Sequence, residues 1–196
     1  MTTQASVVTP ARFDTGMKSF KEWMAAIPER QAEFQQHYDD YTPDASDIAA
    51  VKALVEKHGV KAFVIGEHWC PDVWRGLPVF AKVEEQTGIT ARYFARDENK
   101  DIMSEFLNHG EFESIPAMVF YDANHKLLGH WIERPQLALD EMAKLRAEIL
   151  APAPQEDGPE KQAAQAKYRA ATAERAPAWR HATLTEWRAL LEKALA

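Results

Sequence analysis

The sequence predicts an α/β sandwich with helices added at both ends. Helical and strand patterns alternate from residue 46 to residue 150. The run Val60–Ile65, short, mostly apolar and β-branched, suits a strand buried on both faces. A tight turn near residue 123 joins the last two strands, which makes that pair antiparallel and the sheet mixed. The chain has 196 residues, 46% apolar and 27% charged. That length and composition suit one α/β domain with appendages and need no disulfide or structural metal for a core.

The N-terminal part (1–45) reads as a helical extension. Phe20, Trp23, Met24 and Ile27 recur at helical spacing until Pro28 interrupts, and Gln31 to Tyr38 forms a second short helix. A loop over Asp39–Asp44 follows. From Ser46 a clean helix places Ile48, Val51, Leu54 and Val55 on one face, with Gly59 as its stop. Val60–Ile65 is the first strand. The next helix carries Leu77, Phe80, Ala81 and Val83 on one side, contains Pro78, and ends at Gly88. Thr90–Ala95 is the second strand, and Ile102, Phe106 and Leu107 mark a short helix ending at Gly110. Ala117–Tyr121 and Lys126–Ile132 are the third and fourth strands about the Asp122–His125 turn. Leu137, Met142, Leu145 and Ile149 close the body (46–150) with a helix.

Ala151–Pro159 reads as a linker rich in proline. The tail (151–196) adds two helices, the second announced by Thr183 and Glu186 in the spacing of a capping box. Its stripe of Trp187, Leu190, Leu191 and Leu195 must bury itself on the N-terminal helices or on a second subunit, which makes a homodimer through the terminal helices the alternative.

Charge limits the partners. With 23 basic and 30 acidic residues the net charge is −7, which argues against general affinity for nucleic acid or anionic membrane. No apolar run is long enough for a membrane span. Met1–Pro10 lacks the pattern of a secretory signal, so a cytoplasmic location is expected. No glycine-rich dinucleotide fingerprint is present, and flavin, nicotinamide and metal are not expected.

Chemistry concentrates at His68-Trp69-Cys70-Pro71-Asp72-Val73. Cys70, the only cysteine, stands between a buried strand and a helix whose first turn holds Pro71. First-turn amides and the helix dipole favour a thiolate there, so the cysteine pKa is expected to fall. A protonated His68 would push the same way, and Asp72 would oppose. The bland alternative is a cysteine that serves as a small buried hydrophobe. His68 and Cys70 make too few ligands for a zinc site.

Trp69-Cys-Pro-Asp-Val73 resembles the Trp-Cys-x-x-Cys site of the thioredoxin superfamily, with valine in place of the second cysteine. Pro78 stands where that family has its helix proline. Ser114-Ile115-Pro116-Ala117 resembles the segment whose cis-proline faces the active cysteine. Leu77-Pro-Val-Phe-Ala81, Arg96-Asp-Glu-Asn99 and Gly129-x-Trp131-x-x-Arg134-Pro135 narrow the likeness to a bacterial thioredoxin-like subgroup with an N-terminal helical extension. The resemblance implies a four-stranded thioredoxin-like sandwich and thiol–disulfide exchange at Cys70. Ile115 and Pro116 would align a disulfide-bearing protein, and Trp69 would shape the groove. Val73 cannot resolve a mixed disulfide, so an external low-molecular-weight or protein thiol would be required. Val64 stands where thioredoxins keep a buried aspartate, and a bulky Trp131 is expected to narrow the partner groove. Those departures leave a redox-inactive, thioredoxin-fold binding module as the alternative.

Overall fold

The computed structural model describes residues 6–196, so the reading of Met1–Pro10 falls partly outside the described residues. Helix α1 (Pro10–Phe13) is capped by the Thr9 hydroxyl, and α2 (Phe20–Ala26) by that of Ser19. After α3 (Gln31–Asp39), the Asp44 carboxylate caps α4 (Ala45–His58) by accepting from the Ser46 and Asp47 amides. Gly59 ends α4 at a φ of 60°, a left-handed geometry that favours glycine.

Strands β1 (Lys61–Gly66), β2 (Thr90–Ala95), β3 (Ala117–Tyr121) and β4 (Leu127–Ile132) form one mixed sheet in the order β2-β1-β3-β4. β1 runs parallel to β2 and antiparallel to β3, and β4 closes the sheet antiparallel to β3. Met17 exchanges two backbone hydrogen bonds with Tyr93 (3.0 and 2.8 Å), so the N-terminal segment covers the open edge of β2.

The register sorts the core into two layers. Val64, Met118, Tyr93 and Trp131 share the face that packs against α5 (Pro71–Thr87), where Phe80 meets Tyr93 edge-on. Phe63, Phe94 and Tyr121 line the opposite face, with Phe106 and Phe13 laid over it. The short α6 (Lys100–Met103) ends earlier than its apolar spacing predicts, and turns carry the chain on to Gly110. Helix α7 (Gln136–Leu145) passes into a π-helical turn over Arg146–Leu150.

The tail departs most from expectation. In place of two helices there is one, α8 (Pro159–Leu195), 37 residues long and continuous through Pro177. Thr183 and Glu186 do not begin a helix. The Thr183 hydroxyl donates to the Trp179 carbonyl one turn back (2.9 Å), and Thr183 and Trp187 are buried on one face with Trp179. Glu186 instead accepts from Trp131 Nε1 and from the first amide of α7 at Gln136, both at 2.7 Å. The capping-box spacing is therefore used between elements, with the carboxylate at the N-terminus of a neighbouring helix.

The apolar stripe of α8 is buried within the chain, on the sheet and α5 more than on the N-terminal helices. Trp187 lies edge-on to Phe80 of α5 and Trp131 of β4, at centroid distances of 5.6 and 5.5 Å. Leu190 rests on Gly129, where a Cβ would stand 3.0 Å from its Cδ2. Arg188 and Thr185 tie the same helix to Asp47 of α4, at 3.1 and 3.0 Å. No helix among the described residues is long and apolar enough to cross a membrane.

Trp187 is 1% exposed, so its removal leaves a cavity between α5, α8 and β4. Trp187→Ala is expected to lower unfolding free energy by about 3–5 kcal/mol. Urea denaturation checks this, and a loss below about 1 kcal/mol would show that α8 adds little to the body's stability.

Candidate active site

Cys70 ends the loop after β1 and is the N-cap of α5, with Pro71 in the first turn. Its carbonyl accepts from the Val73 and Trp74 amides (3.1 and 3.2 Å), which starts the helix. Pro71 has no amide hydrogen to leave unpaired there. The thiol is half-buried and donates to the Ile115 carbonyl across a 3.8 Å gap. The next peptide bond, Ile115–Pro116, is cis, and the Pro116 carbonyl accepts from the Glu133 amide at 2.7 Å. Cysteine, cis-proline and the end of β4 thus meet at one end of the sheet.

Two close contacts hold α5 in that place. A Cβ on Gly66 would come within 2.8 Å of Val73 Cγ1, and one on Gly76 within 2.8 Å of Pro116 Cγ. Neither glycine needs an unusual φ; each is required because another group occupies the space of a side chain. Val73 is fully buried, so the position of the missing second cysteine is a packing position against β1. Gly76 stands inside a helix, a costly choice that the close approach of Pro116 explains.

The charged groups are arranged around Asp72. Arg134, at the end of β4, grips the Asp72 carboxylate with two hydrogen bonds: Nε to Oδ1 at 3.0 Å and Nη2 to Oδ2 at 2.5 Å. Both side chains are largely buried, and Arg75 adds a longer contact to Asp72 at 3.6 Å. The second face of the Arg134 guanidinium pairs with Glu133. This fork is the planar, bidentate geometry that favours arginine over lysine.

The expected fall of the Cys70 pKa does not occur. Burial pushes the thiol above its ordinary value, against the Val73 and Asp72 amides that pull it down. Asp72 pushes it up further, and Arg134 pulls it down. The cost of desolvating a thiolate therefore outweighs the helix terminus.

The other loop residues separate by environment. The His68 ring lies by two carboxylates, 3.7 Å from Glu67 and 4.0 Å from Glu29, and its carbonyl accepts from the Trp74 indole. Trp69 is 44% exposed, with the Arg96 guanidinium 5.0 Å from its ring centroid. The Arg96–Asn99 loop is partly buried. Asn99 donates to Ala95 and accepts from Arg12, and Arg96 reaches the Glu113 carbonyl. Trp131 is turned onto Trp187 and Glu186, so its bulk is absorbed by α8 rather than set into an open groove. Val64 is buried in the aspartate's place. Glu67 escaped sequence reasoning: it is 5% exposed, and its carboxylate anchors the Asp97 amide at 2.7 Å. An acid directly after a mostly apolar strand was its only signal.

The thioredoxin family model matches residues 17–147, most of the chain. The chain belongs to the thioredoxin family. No curated protein matches it in sequence. Among solved structures it is similar to an HIV epitope scaffold, at 20% identity and a TM-score of 0.65, over 96% of this chain and 99% of that one. It is also similar to a protein of unknown function from Pseudomonas aeruginosa, at 20% identity and a TM-score of 0.62, over 97% and 99%. At such identity the likeness is one of fold, and its coverage takes in the N-terminal helices and α8 with the thioredoxin body.

The Asp72–Arg134 pair makes opposite predictions for its two halves. Asp72→Asn is expected to move the inflection of Cys70 alkylation to lower pH, because it removes a charge that disfavours the thiolate. Arg134→Gln is expected to move it to higher pH and to cost about 2 kcal/mol of stability, since it leaves the largely buried Asp72 carboxylate with only the longer Arg75 contact. Rate–pH profiles with iodoacetamide check both, and equal shifts in one direction would show that the pair acts only through packing.

Proposed function

We propose that the chain is a monothiol thiol–disulfide exchange protein with Cys70 as its nucleophile. The observation that carries this reading is the placement of the Cys70 sulfur at the N-terminus of α5, against the Ile115 carbonyl and beside the cis-proline. A disulfide-bearing extended peptide would lie along Ser114–Pro116, with Trp69 as an exposed wall. His68, Pro71, Asp72 and Val73 shape the loop from behind.

In the first step the Cys70 thiolate attacks one sulfur of the substrate disulfide. The old S–S bond breaks, a new one joins Cys70 to the substrate, and the departing sulfur leaves as a thiolate that takes a proton. With Val73 in the second position, the chain has no thiol of its own to finish. An external thiol attacks the substrate sulfur of the mixed disulfide and carries the substrate away as a new disulfide. Cys70 departs as a thiolate and is free to react again.

Half-burial of the thiol and the loss of the buried acid favour the second reading, a thioredoxin-fold binding module without redox turnover. The two are separated by disulfide capture rather than by the thiol's pKa alone. Burial places the expected alkylation inflection above the ~8.5 of a free cysteine, and the rate falls as pH drops through it. At a pH where the thiolate is populated, exchange predicts a mixed disulfide with a disulfide-bearing peptide, visible by mass and absent in Cys70→Ser. Without added thiol the wild type is then expected to stop after one event, and with dithiothreitol Val73→Cys is expected to turn over insulin disulfides faster than the wild type, because its own second thiol replaces the external one. If Cys70 alkylates but captures no disulfide at the same pH, the binding-module reading replaces this one.

A further inference from the structure

Behind the active-site loop, α5, α7, α8 and the end of β4 enclose a cavity of about 40 Å³. On the same measure a single water needs about 10–15 Å³, so there is room for a group of a few heavy atoms. Three guanidinium-bearing residues line it: Arg75, Arg134 and Arg180. Two carboxylate-bearing residues, Asp72 and Glu133, line it as well, and Arg134 pairs with both. Arg75 reaches Asp72 only at 3.6 Å.

Arg180 is left over. It is 7% exposed and forms no ion pair among the described residues. Its Nε is buried without a hydrogen-bond partner, and its Nη1 lies 3.4 Å from His37 Nδ1, a contact between neutral ring and cation. Burial pulls its pKa down, Asp40 and Tyr41 pull it up, and Arg75 adds a smaller downward push. The remaining wall is mostly apolar, from Trp131, Trp179, Ala138 and Ala176, with Thr183 donating its hydroxyl hydrogen to the Trp179 carbonyl. A guanidinium held in such surroundings with no carboxylate in ion-pair contact is costly, and a planar carboxylate is the group that best satisfies its fork.

We propose that this cavity is a binding site for a small carboxylate, with Arg180 as its principal ligand and Arg75 as a second cation at its rim. The site takes a group of acetate's size, either as a free small acid or as the carboxylate end of a larger molecule. Trp179 and the two alanines face the apolar part of that group. Cys70 takes no part, so the site stands or falls independently of thiol exchange.

The test uses the full chain at fixed ionic strength, with acetate, glutathione and inorganic phosphate compared against sodium chloride. Indole N–H resonances of Trp131 and Trp179, both in the wall, report occupancy, and the melting temperature reports linkage. Acetate is expected to shift these resonances saturably and to raise the melting temperature beyond the chloride control, in the wild type and in Cys70→Ser alike. Arg180→Met is expected to weaken the midpoint at least ~10-fold while keeping the fold, since it removes an unpaired buried cation. If that variant does not fold, Arg75→Gln and the wild-type titration carry the test. Tighter binding by glutathione would identify the carboxylate end of a larger molecule, and acetate alone a free acid. An acetate response equal to that of chloride, or one unchanged in the Arg180→Met or Arg75→Gln variant, overturns the proposal, as does a site that prefers phosphate.

Discussion

The close approach of α5 to the two central strands is the constraint on which the rest of the site depends. Gly66 admits Val73, and Gly76 admits Pro116. With side chains at either glycine, the helix would stand further from the sheet, and Cys70 at its N-cap would move with it. These contacts also make position 73 an apolar one. It is a buried wedge between helix and strand, and a valine there packs without leaving a polar group unsatisfied.

The same geometry accounts for the electrostatics. An α5 seated this deeply carries Asp72 into a partly desolvated position, where a lone carboxylate would be costly. Arg134 answers from the end of β4, and its fork joins the first turn of α5 to the turn that leads into α7. Glu186 of α8 then occupies the N-terminus of α7 and holds the Trp131 indole. Helix α5, the last strand, α7 and the tail helix are thus coupled by a chain of charged hydrogen bonds. The tail is a structural part of the layer that carries Cys70.

The sheet was legible because its strands are short apolar runs bounded by Gly59, Gly66, Gly88 and the Asp122–His125 turn. The second and third strands match their sequence readings to the residue. Cys70, Pro71 and the Ile115–Pro116 pair were legible as a motif, since each residue type has a local backbone role. The tail was misread because a capping box is a local pattern, and the same Thr-x-x-Glu spacing serves equally for two side chains on adjacent turns that reach other elements. Gly76, Glu67 and the partner of Arg134 were not legible in sequence windows, because each is defined by a residue distant in the chain. The direction of the Cys70 pKa failed for the same reason: helix termini can be read locally, whereas burial is the sum of everything packed around the sulfur.

That reversal changes what a single cysteine here is suited to do. A thiol held above its ordinary pKa is sparsely ionised at neutral pH, so its attack on a disulfide is slow, although each thiolate formed is a better nucleophile. The same sulfur is a poor leaving group, so a mixed disulfide at Cys70 resists displacement from the outside. Half-burial against Ile115 and the absence of a resolving thiol at Val73 act in that direction too. On the proposed reading, the site is therefore matched to holding a partner by a persistent covalent bond more than to rapid turnover. Exchange and partner binding then cease to be opposites: the bound state of such a module is the mixed disulfide itself, and the external thiol sets its lifetime.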